Sequence, residues 1–372
     1  MKETLKKHST LLALVALAIF FTIATDGIFI SPRNLTNLAR QVSINGILAI
    51  GMTFVILIAG IDLSLGSVVA LSGIIVGISQ VYWGLSQWGI AGTLISCLLA
   101  ILTGVLCGLF NSYWIAKKNI TSFITTLGMM VIARGLALIF SDGVAIAPMS
   151  TQFQEIGNGY IPPYTSLILM GGLLGVMLFP RKQQSIFNDI AGQISIRTLF
   201  TITSILLLSY VFFNYKGIPL PVLFLALIAG AGSFVLNRMT IGRYIYAIGG
   251  NAQASHLSGV PIQKVTFFVF ALMGALSGLS GAILTSRLNG AMPTAGNLFE
   301  LDAIAAVVIG GTSLMGGIGT ITGSILGAFM IGTLNNGMSL MNIPTFYQMV
   351  IKGVIIILAV YFDANSKQQQ HS

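Results

Sequence analysis

The 372-residue chain is 55% hydrophobic and only 7% charged, with a mean hydropathy of +0.92. That composition excludes a soluble globular protein, whose surface this chain could not cover, and indicates a polytopic membrane protein. The net charge of +9 does not point to nucleic acid, because the basic residues stand singly or in pairs between apolar runs and not in a patch interleaved with aromatics.

The apolar runs are about 16 to 24 residues long, which predicts helical spans rather than the alternating ten-residue strands of a barrel. MKETLKKHST followed by LLALVALAIFFTIAT has the charged front of a signal peptide. The run is long, has no convincing small-residue cleavage site and leads into further spans, so a retained first helix is expected. Twelve runs can be drawn, at 11–30, 44–60, 64–80, 89–112, 122–140, 163–180, 198–215, 219–236, 264–287, 300–314, 318–336 and 346–362. The fold expected is a single all-α transmembrane domain over 1–372 with broken or re-entrant segments and 10 to 12 spans. With the N-terminus inside, Lys117-Lys118, Arg181-Lys182, Arg197, Arg238, Arg243 and Lys367 fall on the cytoplasmic side, against Arg33, Arg40 and Lys216 outside. The positive-inside bias therefore places both termini in the cytoplasm.

Cys97 and Cys107 share one apolar run and have no ligand spacing, so they read as packing residues without a metal or redox role. Small residues recur at four-residue spacing at Ala100, Gly104 and Gly108, at Gly274 and Gly278, and at Gly319, Gly323 and Gly327, the pattern of closely approaching helices. The exterior connection 141–162 is polar and reads either as an exposed loop or as a contact for an external protein. The segment 185–196, SIFNDIAGQISI, reads either as an interfacial helix or as an irregular loop. The runs 163–180 and 198–215 have few polar or small residues and read as peripheral, lipid-facing helices.

Two stretches are broken in a way that a plain lipid-spanning helix is not. In 44–77 two apolar runs meet at Ile61-Asp62-Leu63-Ser64, and in 301–332 the break carries Gly310, Gly311, Gly316, Gly317 and Gly319. Paired broken hairpins are expected where half-helices line a transport route. Between them, RMTIGRYIYAIGGNAQASHLSGVPIQK is the longest cytoplasmic connection, at about 237–263. Gly249 and Gly250 read as a flexible joint, Asn251 as a cap, 252–258 as a short helix, and Gly259 with Pro261 as its stop. A partner that pushes on the membrane domain would push here.

AIGGNAQASHLSGV, with AGIDLSLGSVVAL near the start and AAVVIGGTSLMGGIGTITGSILGA near the end, resembles the membrane subunit of bacterial ATP-binding-cassette importers for monosaccharides, the ribose, xylose and galactose permease family. The likeness extends over essentially the whole chain, and the extra hydrophobic pair around 163–215 looks like the xylose-type members. The resemblance implies inward movement of a monosaccharide, a pentose such as xylose, across the bacterial inner membrane. It implies a homodimer, a separate cytoplasmic ATPase subunit carrying ATP and Mg, and a periplasmic sugar-binding protein. No GxxxxGK[ST] loop occurs, so the chain is expected to be no enzyme, with no cofactor, metal or catalytic residue of its own. Nucleoside or signalling-sugar permeases, and an ion-coupled carrier, are the alternatives.

The ATPase-docking candidates are Arg243, Gly249, Gly250, Asn251, His256, Gly259 and Val260. The pathway-lining candidates are Gln41, Asn45, Thr53, Asp62, Ser64, Thr312, Ser313 and Asn335. Asp62 reads as a helix cap or as a carboxylate facing a polar route, and the Thr312 and Ser313 hydroxyls as sugar contacts or as bonds back to their own turn. Arg287 and Lys352 are expected to snorkel to an interface, whereas Arg134 needs an interior partner or a wet cavity.

Overall fold

The computed structural model describes residues 9–178 and 196–371, so most of the segment 185–196 and the basic residues at 2, 6, 7, 181 and 182 lie outside the described residues. Among these residues fifteen α-helices follow in order: α1 Ser9–Ala24, α2 Pro32–Leu57, α3 Leu65–Gly77, α4 Gly89–Lys118, α5 Ser122–Phe140, α6 Thr151–Asn158, α7 Pro163–Leu178, α8 Ile196–Phe213, α9 Leu220–Arg238, α10 Thr240–Gly250, α11 Ala252–Leu257, α12 Ile262–Leu288, α13 Phe299–Ile309, α14 Ile321–Leu340 and α15 Thr345–His371. Among the described residues, six helices are long and apolar enough to cross a bilayer: Pro32–Leu57, Leu65–Tyr82, Leu85–Lys118, Ser122–Phe140, Leu220–Arg238 and Ile262–Leu288. The chain is an all-α polytopic membrane protein with broken segments.

At the centre is α2. Ser31 accepts from the Asn34 amide at its start and Pro32 occupies the first helical position, where its missing N–H costs nothing. The helix begins twelve residues before the apolar run at 44–60, so Gln41 lies inside it, not in a connection. From Gly46 to Leu57 every residue is buried, a pattern of a helix enclosed on all sides by protein.

Beside it, α4 and α12 meet through small residues. A side chain at Gly104 would strike the Gly274 backbone, one at Gly108 the Phe270 carbonyl, and one at Gly278 the Ala100 carbonyl. Ala100, Gly104 and Gly108 therefore lie against Gly274 and Gly278, and the four-residue spacing reports backbone contact between these two helices. Each helix ends on an asparagine in the left-handed region, Asn119 (φ 54°) and Asn289 (φ 52°), a residue type that tolerates that conformation.

The connection 141–162 is not a plain loop. It folds α6, which seats Phe153 in the interior and is tied to the end of α12: the Gly157 amide donates to Ser286 Oγ (2.7 Å), and Ser286 Oγ donates to the Phe153 carbonyl (2.6 Å). Two-residue strands β1 (Tyr160–Ile161) and β2 (Ile218–Pro219) then pair antiparallel and close the entry to α7 and α9. The resolved side chains Tyr164, Ile168, Leu206, Leu207 and Tyr210 on α7 and α8 are largely exposed, in keeping with a peripheral, lipid-facing pair.

Candidate functional site

The two broken stretches, far apart in sequence, come together at one end of the bundle. The first break follows Leu57, turns through Ala59 (φ 59°) and reaches α3 at Leu65; the second spans the residues between Ile309 and Ile321. They are joined directly, since the Gly317 amide donates to the Leu57 carbonyl (3.0 Å). An end-of-helix carbonyl that lacks an intrahelical partner is thus satisfied by the other break.

The helix pair α10–α11 sits on this junction. α10 ends at Gly249 and Gly250, and both are helical, so these glycines are not the flexible joint the sequence suggests. Gly249 is needed for proximity: a side chain there would collide with the Leu57 carbonyl and the Gly317 amide. Gly316 (φ 87°) and Gly317 (φ 73°) are the residues that need the left-handed region, and they pass directly beneath Gly249. Gly250 has open space around it. One turn earlier, Tyr246 Oη donates to the Gly319 carbonyl (2.8 Å), and burial pushes its phenol pKa up, which keeps the donor proton in place.

The rest of the loop is presented outward. Asn251 caps α11 by accepting from the Ala254 amide (2.9 Å), and Gly259 (φ 79°) ends it as expected. Arg243 and His256 are exposed, Leu257 is 81% exposed, and Val260 packs back on the core. Leu257 is an apolar knob that polarity-based reading passes over.

Asp62 and Ser64 form a buried knot in the first break. Asp62 Oδ1 accepts from both the Ser64 amide (2.8 Å) and Ser64 Oγ (2.6 Å), and Asn111 Nδ2 donates to Ser64 Oγ (3.1 Å). The carboxylate thus closes the turn that leads into the α3 cap, Ser64, from two residues ahead of it, while the Leu63 and Ile61 amides are taken by Thr126 and Ser122. In the second break, Ser313 Oγ accepts from the Met315 amide (3.1 Å), and Thr312 packs against Gly319 with its Oγ1 buried and unpartnered. Thr53 is buried in α2, donating to Ala49 and lying 2.7 Å from Ser324 Oγ.

The remaining pathway candidates lie at the opposite end. Gln41 is removed from Leu57 by roughly 24 Å along α2 at 1.5 Å per residue. Gln41, Asn45 and Asn335 line one cavity of about 340 Å³ between α2, α12, α13, α14 and α15. Arg287, Asp302 and Lys352 share its wall, together with Asn297, Ser339 and Gln348. Lys352 does not snorkel: its Nζ holds Asp302 Oδ1 at 3.0 Å and Oδ2 at 3.2 Å, a pair whose partners are fifty residues apart with no sequence pattern to join them. Nor is Arg287 free of the interior, since it forms part of this wall.

Arg134 finds an interior partner made of backbone. Its guanidinium donates to the carbonyls of Pro293 (2.5 Å) and Ala295 (2.9 Å), in the segment between α12 and α13. That segment is bonded at Ala291 to Ile146 near one end of α3 and presses Gly296 on Gly66 near the other, so it descends along α3 into the bundle. Its freed carbonyls need a donor at depth, and Arg134 supplies it.

A family model described as the branched-chain amino acid transport system permease component matches residues 34–360. The chain is 41% identical over 366 residues to the xylose transport system permease protein XylH of Escherichia coli K12, covering 96% of this chain and 91% of that protein. It is 39% identical over 372 residues to XylH of Haemophilus influenzae, with 98% of each chain covered. It is 37% identical over 361 residues to the ribose import permease protein RbsC of Bacillus subtilis, with 96% and 93% covered. No solved structure matches it significantly.

Proposed function

We propose that this chain, which belongs to the permease family of branched-chain amino acid transport systems and is a sugar permease subunit of the ATP-binding-cassette type, moves a pentose such as xylose inward across the bacterial inner membrane. ATP hydrolysis on a separate cytoplasmic subunit drives it, and a periplasmic binding protein supplies the sugar. Two copies of the permease form the working unit, with both termini in the cytoplasm.

The observation that carries this reading is the seat of α10 on both helix breaks at once. A force applied to the exposed Arg243, His256 and Leu257 reaches Gly249, and Gly249 has no slack against Leu57 and Gly317. Displacing α10 therefore separates or presses together the ends of α2 and the α13–α14 pair, which also wall the cavity. On α2 the cavity is lined by Gln41, Ile44 and Asn45, and the fully buried stretch from Gly46 to Leu57 stands between them and the α10 junction. With α10 and α11 in the cytoplasm, the cavity lies toward the outer side, and alternating access requires the junction to part. The permease contributes the two-state path and performs no covalent chemistry.

Reconstitution in proteoliposomes with a xylose-binding protein and the partner ATPase tests this. ATP-dependent accumulation of labelled xylose is expected. Accumulation that follows an imposed ion gradient and persists without ATP would overturn the reading in favour of a secondary carrier.

A further inference from the structure

The cavity wall is unlike the rest of the chain, where charge is sparse. Asp302 and Lys352 form the one ion pair among the described residues, with side chains only 7% and 17% exposed. Sequestering such a pair costs desolvation that its attraction does not reliably offset, so its presence calls for a use. Both contacts of the Lys352 ammonium go to the same carboxylate, which leaves it further donor capacity and leaves Asp302 free lone pairs.

Unused hydrogen-bonding groups surround the pair. The Arg287 guanidinium, and the Gln41 and Asn45 amides, have no side-chain hydrogen bond among the described residues. Asn335 Oδ1 is buried without a partner, an acceptor that costs stability unless something supplies a proton. Donors and acceptors are thus both present around a space of about 340 Å³, within the size range of small-molecule sites. Phe299 and Leu284 add apolar wall. A hydroxyl both donates and accepts, and a row of adjacent hydroxyls on a carbon ring matches such a lining. A branched aliphatic side chain would strip these groups of water and return nothing.

We propose that this cavity is a transit site for a neutral polyhydroxylated ligand, a monosaccharide, in which the Asp302 carboxylate accepts from and Lys352 and Arg287 donate to neighbouring hydroxyls. The proposal rests on the sugar-permease reading and deepens it. The site is one of selection as well as passage, because it distinguishes sugars by the placement of single hydroxyls.

The test is uptake by the complete assembly with the binding protein in excess, comparing a pentose with an epimer that the same binding protein delivers. Asp302→Asn keeps the volume and removes the charge; at least about a tenfold loss in maximal uptake is expected, from one charged hydrogen bond. The ratio of the two epimers should shift severalfold in the same variant. The exchanged pair, Asp302→Lys with Lys352→Asp, restores a strut between α13 and α15 but reverses donor and acceptor, and it should not restore the ratio. Wild-type uptake and wild-type ratio in the exchanged pair would show a strut only, and unchanged uptake in Asp302→Asn would overturn the proposal as well. If Asp302→Asn does not reach the membrane, Asn335→Leu removes the orphan acceptor without touching the ion pair, and the same shift is expected. Wild-type protein that accumulates no monosaccharide overturns the sugar reading itself, whereas normal wild-type transport with indifferent variants overturns only the site.

Discussion

The two ends of this bundle solve opposite problems. Around the cavity, side chains do the work: amides, an ion pair and a guanidinium line a space wide enough to hold a ligand. At the α10 junction, backbone meets backbone, with Gly249, Gly316, Gly317 and the Leu57 carbonyl too close together for any side chain. A cavity that tolerates exchange of partners suits weak, reversible binding, while a junction without free volume suits transmission of displacement, since close-packed contacts pass strain on.

The sharpest way to break this contrast is at Gly249. A valine there must displace the end of α2 or the Gly316–Gly317 turn, and overpacking of this kind costs about 1 to 3 kcal/mol. We expect coupling of ATP hydrolysis to uptake to fall by about tenfold or more with membrane insertion retained. Gly250→Val, facing open space, serves as the control, and equal loss in both variants would show that the junction is not the transmitting contact.

Arg134→Met comes next. Two carbonyls at depth lose a charged donor, a loss of about 2 kcal/mol, and the segment between α12 and α13 should become more accessible to a thiol reagent at an engineered cysteine in place of Pro293. Unchanged labelling would mean that Gly296 against Gly66 holds the segment alone. The smallest effect is expected for Tyr246→Phe, which removes one neutral hydrogen bond of about 1 kcal/mol. Basal ATPase activity should hold while its stimulation by loaded binding protein falls about fivefold; full stimulation would remove the Tyr246–Gly319 bond from the coupling route.

How far the sequence carries depends on whether the relevant interaction is local. The short helix Ala252–Leu257 and its Asn251 cap were legible because capping chemistry acts within three residues. The α4–α12 seam was legible because small residues at helical spacing have few other uses in a membrane. Gly249 was misread: absence of a side chain serves conformational freedom and close approach equally, and only the neighbour, Leu57, tells which. The partner of Arg134 has no signature at all, since any residue presents a carbonyl. Of the pathway candidates, Gln41, Asn45 and Asn335 share the cavity, whereas the charged members of its wall were assigned to the interface because a lysine near a helix start and one near a distant carboxylate look alike in one dimension.

The Leu57–Gly317 hydrogen bond has a kinetic corollary. An amide proton held between two helix breaks and roofed by α10 exchanges with solvent only when that junction opens. The deuterium uptake of a single peptide spanning Gly317 is therefore a clock for the conformational cycle, slow at rest and faster during turnover, readable without an attached probe and without knowing which sugar is carried.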